Sequence, residues 1–470
     1  MSTSSFFGDI MQTIAERGRR LLAPGPPAGT RTSRDGDVVG LCETLLSSRG
    51  EASGMALARE VLDRWAGLDA AGQHAFMMAL LTRFGPDEAR LATAVDAYRA
   101  APSPDAAGRL HAAAEPRRQE LIRRLNLAPN GTASLVAMRE ALIVMKAGEP
   151  ALEAVDADFA HLFGSWFNRG FLVLRRIDWS TPAGILEKVI RYEAVHEIRD
   201  WDELRRRLAP EDRRCFAFFH PQLPDEPLIF VEVALTRETP KAIADVLDGG
   251  RRAIRAGDAT TAVFYSISNC QEGLKGISFG SFLIKQVVED LSRELPTLQD
   301  FVTLSPAPGF AAWLARERRA DASEVLSEAD REALAFLDAP DWPDDAAAAA
   351  AVEAALMPAA AAYFLVARAE SGRPVDPVAR FHLGNGARLE RLDFLGDRSA
   401  RAMRQACGLM VNYRYKLEDI EANHEAYAVR REVVAAPAVR KLLRVEKPAK
   451  SLVPVEEGTA KRRKPKQDAA

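Results

Sequence analysis

The sequence predicts a multidomain α+β protein, in which an all-α helical bundle precedes an α/β domain. Its length of 470 residues allows two or more domains at ~100–200 residues each. From Val38 to about Phe167, apolar residues recur at helical spacing and no alternating β-branched run interrupts them. After Phe171, runs of aromatic and β-branched residues begin, as is typical of strands.

Composition and charge exclude several classes of protein. Apolar residues make up 47% and charged residues 27% of the chain, which is ordinary for a globular protein. The formal net charge of −3 favours neither nucleic acid nor an anionic membrane as a partner. The scattered cysteines form no CxxC motif, which argues against a close-spaced zinc or dithiol site and fits a reducing cytoplasm. These residues are Cys42, Cys215, Cys270 and Cys407.

Residues 1–36 are predicted to form a short amphipathic helix and a linker rich in proline and glycine. They contain no basic start followed by an apolar core, so we expect no signal peptide. Residues 37–170 are predicted to be a helical domain of six or more helices. Helical patterns cover 55–65, 73–84, a stretch ending near 100, 121–127, and a helix capped by Thr132 or Ser134.

Residues 171–439 are predicted to form the α/β domain. We expect two adjacent strands joined by a turn-rich connector, then a strand, a glycine-bearing loop, a helix and another strand. This last order predicts a βαβ crossover with parallel pairing. The predicted strands are 214–219, 227–236, 261–268 and 300–304, and the predicted helix is 281–291.

Two further segments carry simple predictions. The alanine-rich stretch from Ala346 to Ala367 is interrupted by Glu353 and Pro358, so we expect two helices and no membrane span. Residues 440–470 carry a net charge of +6 and the run KRRKPK. That composition favours a disordered, solvated tail, with an acidic partner as the minority interpretation.

The loop from Asn269 to Ser281 is a candidate phosphate site. Gly273, Gly276 and Gly280 fall within eight residues, just before a predicted helix. A helix N-terminus offers free N–H groups, and glycines allow close approach of an anion. The loop lacks the spacings GxxxxGK[ST] and GxGxxG. A purely structural turn is an equally good interpretation at this stage.

Ser305 follows the last predicted strand, where open α/β sheets bind ligands. A serine before proline is usually only a turn residue. His382 precedes the turn signal Asn385-Gly386, and His220 lies in the strand connector. Either histidine is more often a satisfied structural residue than a functional one, and neither belongs to a close-spaced metal motif.

Five ordered blocks of sequence resemble the malonyl-CoA decarboxylase family. Together they run through most of residues 171–420, and five blocks in order are far more specific than any one of them. The blocks are HPQLPDEPLIFVEVALT (220–236), FYSISNCQEGLKGISFGSFLIKQVVEDL (264–291), TLSPAPGF (303–310), FHLGNGARLERLDF (381–394) and CGLMVNYRYKLE (407–418).

The resemblance implies a helical N-terminal domain for self-association and a catalytic domain resembling the N-acetyltransferase superfamily fold. It implies conversion of malonyl-CoA to acetyl-CoA and CO2 without a metal or organic cofactor, since the CoA thioester is the substrate. The catalytic pair maps onto Ser305 and His382, with Ser266 and Tyr415 as neighbours. The pyrophosphate loop maps onto Lys275, Gly276, Ile277, Ser278, Phe279, Gly280 and Ser281, with Ile284 one turn further along.

The chemistry of this reaction assigns roles to these residues. Loss of CO2 leaves a thioester enolate, which needs a hydrogen-bond donor at its oxygen and an acid for its carbon. We expect His382 to give the proton and Ser305 to orient the carboxylate or relay the proton. Asn385 is a candidate to orient the histidine or donate to the enolate. Two alternatives remain, an acyl-CoA-dependent acyltransferase and a non-catalytic acyl-CoA sensor.

Overall fold

The computed structural model describes residues 37–47, 50–277, 279 and 283–444. The predicted N-terminal helix and linker lie outside the described residues, as do residues 445–470 of the basic tail. Residues 440–442, which were predicted to lie in that tail, belong to the helix Pro437–Leu442.

The described residues up to 171 are helical, which confirms the predicted all-α N-terminal part. Eight α-helices and two short 3₁₀ helices follow one another here. The α-helices are Val38–Ser47, Glu51–Ala66, Ala70–Thr82, Glu88–Ala100, Pro104–Ala114, Arg117–Asn126, Gly131–Met145 and Glu153–Trp166, and the 3₁₀ helices are Pro150–Leu152 and Arg169–Phe171.

Short polar side chains begin several of these helices, as expected from their capping chemistry. The carboxylates of Asp69 and Asp87 accept hydrogen bonds from backbone N–H groups in the first turns that follow them. The predicted cap at Thr132 or Ser134 is wrong, because the helix begins earlier, at Gly131. A β-carbon on Gly131 would lie 2.4 Å from the Leu125 carbonyl oxygen, so only glycine fits this tight entry.

The strands form one mixed sheet. They are β1 (Val173–Ile177), β2 (Arg213–His220), β3 (Leu223–Thr236), β4 (Thr261–Asn269), β5 (Asp300–Thr303), β6 (Ser305–Pro306), β7 (Arg388–Asp393) and β8 (Met410–Tyr415). Their order in the sheet is β1-β2-β3-β4-β5-β8-β6, with β7 paired to β8. The adjacent placement of β2 and β3 was predicted. The predicted connector, residues 220–226, is wrong at His220 and over 223–226, which are strand, so Pro221 and Gln222 alone form the turn.

The predicted crossover is confirmed. Strands β4 and β5 pair in parallel, with Phe264 opposite Thr303, and the helix Leu283–Glu294 lies between them in sequence. That helix buries one apolar face, which consists of Leu283, Ile284, Val287, Val288 and Leu291. Strand β8 is antiparallel to β5 and β6, which makes the sheet mixed.

The alanine-rich segment forms a single helix, Ala346–Leu365, with Pro358 inside it. The prediction of two helices is therefore wrong. A proline within a helix removes one backbone hydrogen bond, and burial of the following residues, Ala359 to Phe364, offsets that loss. This helix is long and apolar enough to cross a membrane, but more than half of it is buried inside the protein, which is the setting of a core helix.

The other helices follow or connect strands in the C-terminal part. They are Ala183–Tyr192, Trp201–Leu208, Ala244–Leu247, Phe310–Arg319, Glu328–Leu334, Pro377–Gly384, Ala400–Ala406 and Ile420–Arg430.

The chain forms two compact units. The first comprises the described residues up to 174 together with 218–228 and 269–277 and 279, and its core includes edge-on contacts among Phe159, Phe163 and Phe167. The second comprises 175–217, 229–268 and 283–444. Its core on the sheet includes Ala234, Val246, Val263, Tyr265, Val302, Leu304 and Met410.

Candidate active site

Ser305 lies just beyond β5, in the short strand β6, where it pairs with Val411 of β8. Only 6% of the residue is exposed. The backbone turns after Pro306 and enters the helix Phe310–Arg319. The serine is therefore held by a sheet pairing on one side and a helix start on the other, which restricts where its hydroxyl points.

His382 lies on the helix Pro377–Gly384. The Asp376 carboxylate caps this helix by accepting a hydrogen bond from the Ala379 backbone N–H. The helix ends at Asn385, whose side-chain amide donates to the Phe381 carbonyl at 2.8 Å. His382 is 2% exposed, and its ring stacks on Tyr413 with 4.5 Å between ring centroids. Capping interactions thus fix both ends of this helix, and stacking on Tyr413 fixes the orientation of the His382 ring.

Three side chains from distant parts of the sequence meet through hydrogen bonds. The Ser305 Oγ and His382 Nε2 atoms are 3.1 Å apart, and His382 Nδ1 and the Tyr415 hydroxyl oxygen are 2.8 Å apart. The structure therefore brings together three of the residues selected from sequence.

A fourth side chain, Thr303, extends this chain of contacts. The Ser305 hydroxyl donates to Thr303 Oγ1 at 2.8 Å. Thr303 precedes Ser305 by two residues on an extended backbone, so the two side chains lie on the same side. We refer to Thr303, Ser305, His382 and Tyr415 as the hydroxyl–imidazole network.

Burial sets the protonation states in this network. Desolvation lowers the pKa of His382 to about 3, so its imidazole is neutral at physiological pH. Burial also raises the pKa of Tyr415 well above its usual value, so its hydroxyl keeps its proton. Because Ser305 donates its one proton to Thr303, Ser305 Oγ faces Nε2 as an acceptor, so the imidazole carries its single proton on Nε2 and Nδ1 accepts from the Tyr415 hydroxyl. The network can therefore move a proton toward the serine.

Ser266, a predicted neighbour, is placed differently. Its hydroxyl donates to the Glu193 carboxylate at 2.7 Å and lies 3.3 Å from the Ser268 hydroxyl. Glu193 also accepts from the backbone N–H groups of Val195 and His196. Within the described chain, no hydrogen bond joins Ser266 to Ser305 or His382.

The candidate phosphate loop, residues 269–281, contains a type II turn after a short 3₁₀ helix, Glu272–Leu274. Lys275 and Gly276 are its central residues, Gly276 has φ +79°, and the Ile277 N–H donates to the Leu274 carbonyl at 3.0 Å. A type II turn needs positive φ at its third residue, which explains the glycine. Lys275 is exposed. The remaining predicted loop residues Ser278, Gly280 and Ser281 lie outside the described residues, whereas Phe279 and Ile284 are buried.

The first unit anchors this turn through the helix Gly131–Met145. The Arg139 guanidinium donates to the carbonyl oxygens of Gly273 and Lys275 at 2.8 and 2.9 Å. It also pairs with Asp156 at 2.8 Å. A β-carbon on Gly273 would lie 2.0 Å from the Val136 carbonyl oxygen, so the glycine permits direct backbone contact with this helix.

Comparison with known proteins places the chain in a family. Its residues 170–453 match the family model of the malonyl-CoA decarboxylase C-terminal domain, and residues 84–167 match that of the N-terminal domain. This chain belongs to the malonyl-CoA decarboxylase family. The mitochondrial malonyl-CoA decarboxylase of Anser anser anser is 34% identical over 414 residues, which cover 81% of this chain and 82% of that protein. The enzyme of Mus musculus is 30% identical over 458 residues, covering 90% and 89%.

Solved structures from the malonyl-CoA decarboxylase family agree. A bacterial malonyl-CoA decarboxylase from Rhodopseudomonas palustris has a TM-score of 0.84 and 63% identity, covering 87% of this chain and all of that one. A second, from Agrobacterium vitis, has a TM-score of 0.83 and 67% identity, covering 86% of this chain and 99% of that one. The resemblance predicted from the five sequence blocks is thereby confirmed.

Sequence reasoning overlooked Thr303, Tyr413 and Arg139. Thr303 could have been found, because it shares a strand face with Ser305 at a spacing of two. Tyr413 shares a face with Tyr415 in the same way. Arg139 left no such signal, since it lies more than 130 residues from the loop whose carbonyl oxygens it contacts.

His220, which was a weak functional candidate, is a structural residue. Its Nε2 lies 3.1 Å from the Trp166 carbonyl oxygen, and its Nδ1 accepts from the Gln222 N–H at 3.2 Å. Both ring nitrogens thus hold the β2–β3 turn in the first unit. Across the part of the chain that the structure describes, no cluster of three or more histidine, cysteine or acidic side chains could hold a metal. All four cysteines are buried and none of them forms a disulfide.

Proposed function

We propose that this chain decarboxylates malonyl-CoA to acetyl-CoA and CO2, and that Ser305 and His382 are the polar pair at the thioester. Membership of the malonyl-CoA decarboxylase family supports the substrate and the reaction. The 3.1 Å contact between Ser305 Oγ and His382 Nε2 is the single observation that supports the choice of residues. The CoA thioester is the substrate, and the proposed reaction uses no metal or organic cofactor.

The reaction needs a polar group beside the reacting carbon. Cleavage of the bond to the carboxylate leaves its electron pair conjugated with the thioester carbonyl, as an enolate. Alignment of the breaking bond with the carbonyl π system is a matter of positioning, and a donor near the oxygen stabilises the charge as it develops. A mostly buried site such as that of Ser305 also limits protonation by bulk water.

The hydrogen-bond directions favour proton relay as the role of Ser305. Ser305 is slightly more exposed than His382, which favours the serine as the group nearer to the substrate. The Ser305 hydroxyl turns from Thr303 to the enolate carbon and gives up its proton, the His382 Nε2 proton replaces it, and the Tyr415 proton passes to Nδ1. Water then supplies a proton to Nε2 while the Nδ1 proton returns to Tyr415, which restores the starting tautomer. One C–H bond forms and one solvent proton is consumed, which balances the loss of CO2.

The loop from Lys275 to Ser281 is proposed to bind the CoA pyrophosphate, with Ile284 one turn further along. The exposed Lys275 at this turn supports the assignment, since a solvent-facing cation suits an anion. Binding energy from the remote nucleotide would then position the malonyl group. Asn385 is proposed to orient His382 indirectly, by capping the end of the helix that carries it. Ser266 is proposed to affect the site indirectly, through its hydrogen bond to Glu193.

Several coarser features complete the proposal. The parallel β4–helix–β5 unit is consistent with a catalytic domain resembling the N-acetyltransferase superfamily fold, over residues 171–439. We propose that the helical part, residues 37–170, serves self-association as a dimer or tetramer. The bacterial origin of the solved relatives supports a bacterial, cytoplasmic protein.

The decisive experiment is incubation of the purified protein with malonyl-CoA alone, followed by mass spectrometry of the CoA esters. Decarboxylation predicts acetyl-CoA and CO2 in equal amounts without any acceptor. An acyltransferase would release free CoA only when an amine is added, and a sensor would bind malonyl-CoA without turnover. Either of those two results would contradict the proposal.

A further inference from the structure

In the ligand-free protein the Ser305 hydroxyl donates its hydrogen bond to Thr303. Thr303 Oγ1 lies 2.8 Å from Ser305 Oγ, and Thr303 is completely buried. A hydroxyl has one proton to donate and two lone pairs that accept. Once the serine proton is directed to Thr303, Ser305 Oγ faces His382 as an acceptor.

Thr303 is itself held in one orientation. Its Oγ1 accepts a second hydrogen bond from the Tyr413 backbone N–H at 3.1 Å, so both of its lone pairs are used. Its own proton points toward the Val411 carbonyl oxygen, 3.5 Å away, and its backbone carbonyl accepts from Asn412 Nδ2 at 2.6 Å. The threonine therefore cannot turn its proton toward Ser305 without losing these contacts to β8.

We propose that Thr303 is a positioning residue that keeps the proton of neutral His382 on Nε2. Thr303 accepts the hydrogen bond that the Ser305 hydroxyl donates, so Ser305 Oγ accepts from Nε2–H. On the other side of the ring, the Tyr415 hydroxyl donates to Nδ1. Each group in the network then donates a hydrogen bond to the next, in the order Tyr415, His382, Ser305 and Thr303. This proposal rests on the proposed function, because the direction matters only if the imidazole replaces the proton that Ser305 gives up.

Removal of the Thr303 hydroxyl reverses the preference of the His382 proton for Nε2 over Nδ1. In Thr303→Val the Ser305 proton has lost its acceptor and turns to the nearest remaining one, His382 Nε2. The imidazole proton then moves to Nδ1, and Nε2 can no longer supply a proton to the serine. Valine keeps the shape of threonine, so the packing of the ring on Tyr413 is retained.

The test is nitrogen NMR of the ligand-free protein labelled with 15N-histidine, with His382 assigned by loss of its signals in His382→Asn. We expect a protonated Nε2 and an unprotonated Nδ1 in the wild type and in Thr303→Ser. Thr303→Val should move the proton to Nδ1 in at least half of the molecules and lower kcat about 10–100-fold, with KM within twofold. The matched control is Thr236→Val, which removes the hydroxyl of another strand residue, one that donates to the Glu238 carbonyl.

An unchanged His382 tautomer in Thr303→Val would overturn the proposal, whatever happens to kcat. A wild-type kcat in a variant whose tautomer has moved would overturn it as well. If valine prevents folding, Thr303→Cys repeats the test, because a thiol is a weak acceptor. The tautomer is measured without substrate, so its outcome is separate from the proposed function, which fails instead if Ser305→Ala keeps full activity.

Discussion

At the scale of single residues, burial decides what His382 can do. A fully solvated histidine titrates near pH 6.5, whereas desolvation lowers the pKa of this one to about 3. The free protein therefore holds a neutral imidazole across the physiological range. A neutral imidazole that gives up its Nε2 proton becomes an anion unless it receives a proton at Nδ1. Tyr415 is the group that supplies that proton.

Tyr415→Phe should therefore slow the reaction while leaving substrate binding almost intact. The phenyl ring preserves the buried volume but removes the donor to Nδ1. Leaving the buried Nδ1 acceptor without its donor costs ~1–3 kcal/mol, which predicts a fall in kcat of about 5–100-fold. Steady-state kinetics with malonyl-CoA would measure it.

Tyr427→Phe is a suitable control for this change, because Tyr427 is also largely buried but belongs to the helix Ile420–Arg430. It should keep a kcat close to that of the wild type. A kcat for Tyr415→Phe that matches the control would show that Nδ1 needs no donor, which contradicts the relay.

The separate residues of this network differed in how far sequence could predict them. Ser305, His382 and Tyr415 were selected through the family resemblance and meet in the structure. Composition and spacing alone had left Ser305 and His382 as ordinary turn or core residues. Their contact depends on pairing of β6 with β8 and on packing of the His382 ring against Tyr413 of β8, and no local pattern encodes such long-range contacts.

At the scale of elements, the candidate phosphate loop depends on a helix far away in sequence. Arg139 holds two carbonyl oxygens of the loop, and Asp156 holds Arg139 in turn. Lys146 also contacts Asp156. The conformation of the turn at Lys275 and Gly276 is thus supported by side chains of the first unit, in addition to its own turn chemistry.

Arg139→Met should weaken malonyl-CoA binding more than it slows chemistry. Methionine fills part of the space but leaves two loop carbonyl oxygens and the buried Asp156 carboxylate without this donor. Loss of charge-assisted hydrogen bonds of this kind costs about 2–4 kcal/mol, so we expect a lower free energy of unfolding and a KM raised about 10-fold. Urea unfolding and steady-state kinetics would measure the two effects.

The control for this change is Arg123→Met, which removes a half-exposed arginine from the helix Arg117–Asn126. It should change the free energy of unfolding by less than about 1 kcal/mol. A KM for Arg139→Met equal to that of the control would mean that the turn at Lys275 does not contribute to substrate binding.

Within the described part of the chain, the helices and strands that sequence patterns predicted were found, except where tertiary packing overrode a local rule, whereas β1, β6, β7 and β8 were not predicted. The helices before residue 167 and the strands β2 to β5 followed their periodicity. Pro358 was expected to divide a helix, yet burial of the residues after it keeps one helix from Ala346 to Leu365. The strand β3 begins within a proline-bearing connector, because pairing with β2 favours extended backbone there.

At the scale of the whole molecule, buried titratable groups make stability depend on pH in opposing directions. For His382 the pKa is lower in the folded state than in the unfolded state, so the unfolded chain binds more protons below pH 6.5 and stability falls as the pH falls. Burial raises the pKa values of Asp376 and Asp393 to about 6. For these two carboxyl groups stability rises as the pH falls through 6.

His382→Asn isolates the histidine contribution, since the two carboxyl groups are present in both proteins. Between pH 7 and pH 5 the free energy of unfolding of the wild type should fall by about 2 kcal/mol more than that of the variant. Urea unfolding at both pH values, compared with the exposed control His161→Asn, would measure this difference. An equal pH dependence in wild type and His382→Asn would mean that His382 titrates normally in the folded state.

The division of the whole chain into four parts, at residues 36, 170 and 439, remains a prediction, as does self-association. Local composition can locate a change from helical to mixed structure near residue 170. It cannot show that short segments such as 218–228 and 269–277 and 279 cluster with the helical residues in one compact unit, because that arrangement depends on contacts between distant parts of the sequence.

The most direct test of the central claim is parallel measurement of malonyl-CoA turnover in Ser305→Ala, His382→Asn and the double variant. We predict that each single change lowers kcat about 100-fold or more, and that the double variant is no slower than the slower single variant, because the two side chains act as a unit. Ser292→Ala and His161→Asn, which make the same changes elsewhere, should retain the wild-type rate. A wild-type kcat in either single variant would contradict the account.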